Sequence, residues 1–133
     1  MKEIRAYIRR GEVNQVVERL RDAGVPGVSI IEIHPLGYGY EANPFERYKA
    51  GLVDRHRYLA IVKLEIVCAE AQLERLVKVI EAHCRTGVSG DGMIFVSDVV
   101  EAVRICDGAR GELALTEKRL GKEERDARAP AVA

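Results

Sequence analysis

The hydrophobic period of this chain changes from two residues to about 3.6 and back, twice over. That rhythm restricts the folds open to it more than any other feature. Residues 3–9 alternate, with Ile4, Ala6 and Ile8 on one face and Arg5, Tyr7 and Arg9 on the other, as in a half-buried strand. Val13, Val16, Val17 and Leu20 then recur at helical spacing, and Gly24 follows as a stop signal. Pro26-Gly27 marks a turn. Residues 28–33 read as a second strand, whose nearly continuous apolar character predicts burial on both faces. Residues 58–67 alternate again, Val62, Leu64 and Ile66 opposing Lys63 and Glu65. Leu73, Leu76, Val77, Ile80 and Cys84 line one face of a second helix, and residues 93–100 form a fourth strand. The order βαββαβ predicts an α+β, ferredoxin-like sheet with two helices on one face. Strands this apolar on the open face would need a cover, and self-association is the economical one.

A glycine-rich turn, Thr86-Gly87-Val88-Ser89-Gly90-Asp91-Gly92, joins the second helix to the fourth strand. Few side chains screen its backbone N–H groups, and concave backbone of that kind can wrap a phosphate. Taken by itself the turn is equally a tight helix-to-strand connection. Residues 37–56 have no sustained period, and a loop of that length is usually functional or disordered.

Composition removes several classes. Lys plus Arg and Asp plus Glu both number 21, so zero net charge offers no general pull on nucleic acid or an anionic membrane. No apolar run approaches the roughly 20 residues of a membrane span, and residues 1–10 lack a secretory signal's apolar core. A cytoplasmic protein without membrane insertion is expected. Cys68, Cys84 and Cys106 read as reduced thiols. Together with His34, His56 and His83 they are scattered at no metal-ligand spacing, so no metal site is assigned. His83 and Cys84 are consecutive on a helix and do not face each other. With no nucleophile–base pair evident, an enzyme is not expected. The 133 residues suggest a single domain, residues 1–113, including the 37–56 loop, followed by a charged tail, residues 114–133. The tail reads as a short solvated helix or a disordered segment.

The turn and its surroundings resemble the C-terminal signature of the PII signal-transduction proteins. There Thr-Gly-x-x-Gly-Asp-Gly-Lys precedes an Ile-Phe-Val strand and cradles the phosphates of ATP or ADP. Thr86, Gly87, Gly90, Asp91, Gly92, Ile94, Phe95 and Val96 match. The resemblance covers about residues 1–37 and 57–113 and implies a trimer with adenine nucleotide bound between subunits. Carried over by motif, Gly27, Val28 and Ser29 would lie near base and sugar. Gly37 would stand at the loop base, Glu65 and Val67 on the third strand, and Arg104 on a closing strand. Thr86, Gly87, Gly90, Asp91, Gly92 and Met93 would form the phosphate side.

The departures also carry information. Met93, Val88 and Cys106 stand where the family often has cations, so ADP or AMP is expected to be favoured over ATP. Arg110 and His83 are candidates to compensate. The loop occupies the place of the family's regulatory T-loop, through which a transporter or enzyme would be controlled. Its base, Gly37-Tyr38-Gly39-Tyr40, lacks the glutamine that helps hold Mg2+ and 2-oxoglutarate, and Ile61 replaces a lysine that pairs with that acid. Asp54 falls where the modifiable tyrosine would be, and Tyr48 lies elsewhere in the pattern. The loop is cationic on balance, with Arg47, Lys49, Arg55, His56 and Arg57 against Glu41, Glu46 and Asp54, which would suit bicarbonate or an acidic partner surface and is equally the composition of a solvated loop. The resemblance thus implies a nucleotide-responsive regulator, with a link to inorganic carbon as one version. A nitrogen-regulatory PII protein and a metal-responsive trimer of the same fold are the alternatives.

Overall fold

The computed structural model describes residues 1–35, 61–88 and 90–116. The 37–56 loop, with Gly37, Tyr48 and Asp54, and the tail from residue 117 lie outside them. Strands β1 (Lys2–Arg9), β2 (Ser29–Glu32), β3 (Ile61–Cys68) and β4 (Met93–Asp98) form one sheet in the order β2-β3-β1-β4. Every neighbouring pair is antiparallel. Helices α1 (Val13–Asp22) and α2 (Leu73–Cys84) complete the ferredoxin-like arrangement.

The alternation in β1 separates the two faces of the sheet. Ile4, Ala6 and Ile8 are sealed in the core with Leu64 and Ile66 of β3. Val16 and Leu20 of α1 and Leu76 and Ile80 of α2 close over them. Helix α1 ends as its sequence predicts. Gly24 adopts φ +84°, and the N–H groups of Gly24 and Val25 return to the carbonyls of Arg21 and Leu20 at 3.0 and 3.1 Å. This is a Schellman cap, and the left-handed position favours glycine. Gln72, just before α2, accepts the Ala69 N–H at 3.3 Å and donates to the Gly24 carbonyl at 3.1 Å, joining the start of one helix to the end of the other.

Two expectations are corrected. Strand β2 is not buried on both faces: Ser29, Ile30 and Glu32 are exposed, because β2 is the sheet's edge strand and pairs only with β3. Strand β4 stops at Asp98 rather than reaching residue 100. Its partner β1 begins at Lys2, whose ammonium pairs with Asp98; the Val99 N–H still reaches the Met1 carbonyl at 3.1 Å, and beyond it β1 offers no further residue. On the open face Glu3, Arg5, Tyr7, Lys63, Glu65 and Phe95 stand among the apolar Ile31, Ile61, Val67 and Met93. There Lys63 meets Glu65 at 2.9 Å, and the Arg5 guanidinium lies 5.7 Å from the Phe95 ring centre. Tyr7 meets the same ring edge-on at 5.7 Å.

Leu64, fully buried opposite Ala6, is the sharpest probe of this core. Leu64→Ala is expected to cost about 2–5 kcal/mol, from lost transfer energy and the cavity left behind. The midpoint of urea unfolding measures it.

Candidate functional site

The residues singled out by motif form two groups at opposite ends of β1. The first lines an open cleft of about 1540 Å3 and comprises Gly27, Val28, Ser29, Glu65, Val67 and Arg104. Gly27–Ser29 arrive from the turn entering β2. Ser29 stands opposite Glu65 in the ladder, which fixes those two elements side by side. A side chain at Gly27 would meet nothing within 4 Å, so the backbone there borders free space. Glu3, at the start of β1, also faces the cleft.

Arg104 does not sit on a closing strand. Beyond β4 the chain makes an isolated bridge between Val103 and Arg110, and Arg104 opens the turn between them. Its N–H bonds to the Ala109 carbonyl and its carbonyl accepts the Gly108 N–H, both at 2.8 Å. Its guanidinium donates through Nε and Nη2 to the two carboxylate oxygens of Asp107, each at 3.0 Å, and through Nη1 to the Thr116 carbonyl at 2.5 Å. Asp107 raises the guanidinium's pKa further, so the charge is permanent.

The second group is the glycine-rich turn. Its backbone N–H groups are less open than the sequence suggests. The Asp91 carboxylate accepts the N–H of Thr86 at 2.7 Å and of Gly87 at 2.9 Å, and also the Thr86 hydroxyl. Arg9, at the end of β1, reaches it through Nη1 at 2.8 Å. The loop is therefore already folded around one anion, its own side chain. Those donors, chiefly the Thr86 hydroxyl and N–H and then Arg9, hold the Asp91 carboxyl well below the usual carboxylate range. Arg9 escaped the sequence reading because nothing local signals a partner 82 residues away. Asp107 was legible in principle, as an acid three residues after Arg104 in an Asp-Gly turn.

Asp91, Gly92 and Met93 border a separate, smaller cavity of about 340 Å3 with Tyr7 and Cys84. Burial pushes the Cys84 thiol up to about 11, so it stays protonated at neutral pH. Glu3 and Tyr7 are four residues apart on β1, so the two groups lie about 13 Å apart or more along the strand at roughly 3.3 Å per residue. They do not converge within one chain.

The compensating candidates serve elsewhere. His83 holds the Val79 carbonyl at 2.8 Å on the outer side of α2, and Arg110 faces Glu101 at 3.8 Å. Cys106 is exposed beside the cleft, and Ile61 is buried opposite Arg9. Among the described residues no group of three or more His, Cys, Asp or Glu could hold a metal ion. None of their helices is long and apolar enough to cross a membrane.

Two outcomes follow from the turn. Gly92 has φ +115°, and a Cβ there would lie 1.9 Å from the Tyr7 carbonyl oxygen. Gly92→Ala is expected to cost about 2–4 kcal/mol through backbone strain and displacement of β1, read as a lowered unfolding midpoint. For Asp91 the folded pKa lies below the unfolded value of about 3.9, so its contribution is complete above that pH and fades as pH falls. Asp91→Asn should melt below wild type at pH 7. The difference should shrink below about pH 4 as the wild-type carboxylate takes up its proton.

Comparison with known proteins agrees with this geometry. The family profile described as Nitrogen regulatory protein P-II matches residues 1–109. A nitrogen regulatory protein P-II of Cereibacter sphaeroides is 39% identical over 117 residues, covering 86% of this chain and all of the relative. That of Rhodobacter capsulatus is 35% identical over the same shares. That of Rhodospirillum rubrum is 36% identical over 84% of this chain and 96% of its own length. With the ferredoxin-like sheet, the Thr86–Gly92 turn and a match spanning most of its length, the chain belongs to the P-II family.

Proposed function

We propose that this protein is a non-enzymatic regulator that binds adenine nucleotide between subunits of a homotrimer and signals through residues 37–56 to a transporter or enzyme. One observation carries the reading. Six motif residues line one cleft while the glycine-rich turn lies at the far end of β1. A neighbouring copy that brings its turn to the cleft would complete the site. The cleft is also larger than the roughly 300–1,000 Å3 of a typical closed pocket, as suits a half-built one. Val100, Ile105 and Leu113 are 96%, 99% and 63% exposed in the single chain, and an assembly would cover such surface.

Fewer cations than the family pattern implies remain for the outer phosphates, because Val88, Met93 and Cys106 are uncharged. Each missing charge-assisted hydrogen bond is worth about 1.5–3 kcal/mol when well formed. ADP or AMP is therefore expected to bind at least as tightly as ATP. Light scattering should give a trimer at micromolar concentration, and calorimetry should rank the three nucleotides. Arg104→Ala and Gly90→Val should each weaken all of them. A stable monomer, or a marked preference for Mg-ATP, would count against the reading.

The second effector separates two versions. The relatives' name, nitrogen regulatory protein P-II, favours nitrogen metabolism for this chain as well. The buried, uncharged Ile61 and a loop base without glutamine favour a ligand other than 2-oxoglutarate, bicarbonate being the candidate linked to inorganic carbon. A doubly charged acid would enter without its counter-charge. Nucleotide titrations with each compound added in turn decide between them. Enhancement by sub-millimolar 2-oxoglutarate returns the protein to nitrogen sensing, and enhancement by bicarbonate alone supports the carbon version.

A further inference from the structure

We propose that Asp107 sets the charge selectivity of the cleft, by neutralising Arg104 and so favouring ligands that carry fewer phosphate charges. The inference rests on the nucleotide reading above and names the residue that decides which nucleotide is taken.

Arg104 and Arg21 are the cations among the described residues that line the cleft, against the carboxylates of Glu3, Glu65 and Glu112. Of these two, Arg104 is the one carried over by motif to the nucleotide site, and it is not a free charge. Asp107 holds it by two parallel N–H···O bonds of 3.0 Å, the strongest arrangement open to the pair. The Asp107 carboxylate is itself pinned, since its Oδ1 accepts the Ala109 N–H at 3.1 Å. The turn that carries both residues is closed by the two bonds between Arg104 and the backbone of Gly108 and Ala109. Turning the Asp107 side chain away would give up the Ala109 bond together with both bonds to Arg104. Both side chains are about 20% exposed.

A phosphate arriving at the Nη1 side of the guanidinium, where the Thr116 carbonyl now accepts, would find a carboxylate on the other side of the same cation. Attraction to Arg104 is largely cancelled by repulsion from Asp107, and the repulsion grows with each charge the ligand brings. Cys106, two residues on, adds no cation to this corner. A monophosphate or diphosphate suffers least. Asp107 is a positioning and specificity residue here, acting on the ligand through Arg104 and through space.

The test is calorimetry of AMP, ADP and ATP with the full chain, its Asp107→Asn variant and its Asp107→Glu variant. The amide keeps an acceptor for Ala109 and Arg104 but removes the charge. Asp107→Asn is expected to tighten all three nucleotides, by about tenfold for ADP as the scale of one removed like charge, with the gain rising from AMP to ATP. Asp107→Glu, which keeps the charge, should retain the wild-type order. A uniform loss in Asp107→Asn would mean that Asp107 only holds the Arg104 side chain, and an unchanged order would equally overturn the proposal while leaving nucleotide binding intact. No binding by wild type or by either variant would sink the nucleotide reading and this inference together. Wild type alone supplies a further check: a neutralised corner predicts a shallow dependence of ADP affinity on ionic strength, and a steep loss with added salt would overturn it.

Discussion

Strand β1 is the element on which the rest of the structure depends. It is paired on both sides, with β3 through eight registered positions and with β4 through six. Its alternation decides which residues enter the core and which face out. Its length separates the two groups of site residues. At one end Arg9 holds the Asp91 carboxylate and the Tyr7 carbonyl packs where only a glycine, Gly92, leaves room. At the other end Lys2 pairs with Asp98 and limits β4, while Glu3 faces the cleft. A change of register would move every one of these contacts and turn Ile4 and Ile8 outward, which the buried face forbids.

Internal carboxylates hold donors in both groups of candidate site residues. Asp91 fills the hollow of the glycine-rich turn, and Asp107 takes the side edge of Arg104. In each case a backbone or guanidinium donor that would otherwise point into solvent has a partner. These charge-assisted bonds stabilise the unliganded chain only by their margin over the water that would otherwise serve the same exposed donors. On the proposed nucleotide reading, an incoming phosphate would compete with, or add to, bonds already made. Affinity is then a difference between two sets of charged hydrogen bonds, and single substitutions at these carboxylates can move it in either direction.

What was legible in the sequence was local. The alternation of β1, the helical stripes of α1 and α2 and the Gly24 stop are each set within a few residues, and each stands where its pattern put it. The turn motif was legible too, and with it the family. What was hidden depends on partners far away in sequence. The exposure of β2 follows from its place at the sheet edge, which hydrophobicity along Val28–Ile33 does not report. The end of β4 follows from where β1 begins. The filling of the turn by Asp91 with help from Arg9 joins residues 82 apart. Asp107 is the intermediate case, since its spacing from Arg104 was visible but its bidentate geometry needed the turn at Gly108.

The separation of the two residue groups has a consequence for regulation. If the cleft of one chain is completed by the turn of another, ligand and assembly are linked, and each stabilises the other by the same free energy. The chain stretch that leaves β2 at Glu32, opposite Val62, and returns at Ile61, opposite Arg9, has both ends at the Arg9 end of the sheet, on the strands that also carry Ser29 and Glu65. Its two ends therefore stand on the strands that form the cleft and meet the turn. A ligand that draws cleft and turn together acts on both anchors of that stretch at once. For residues 36–60 to carry a signal, the ligand need only favour one arrangement of those anchors over another, and the size of the response is bounded by that difference in affinity.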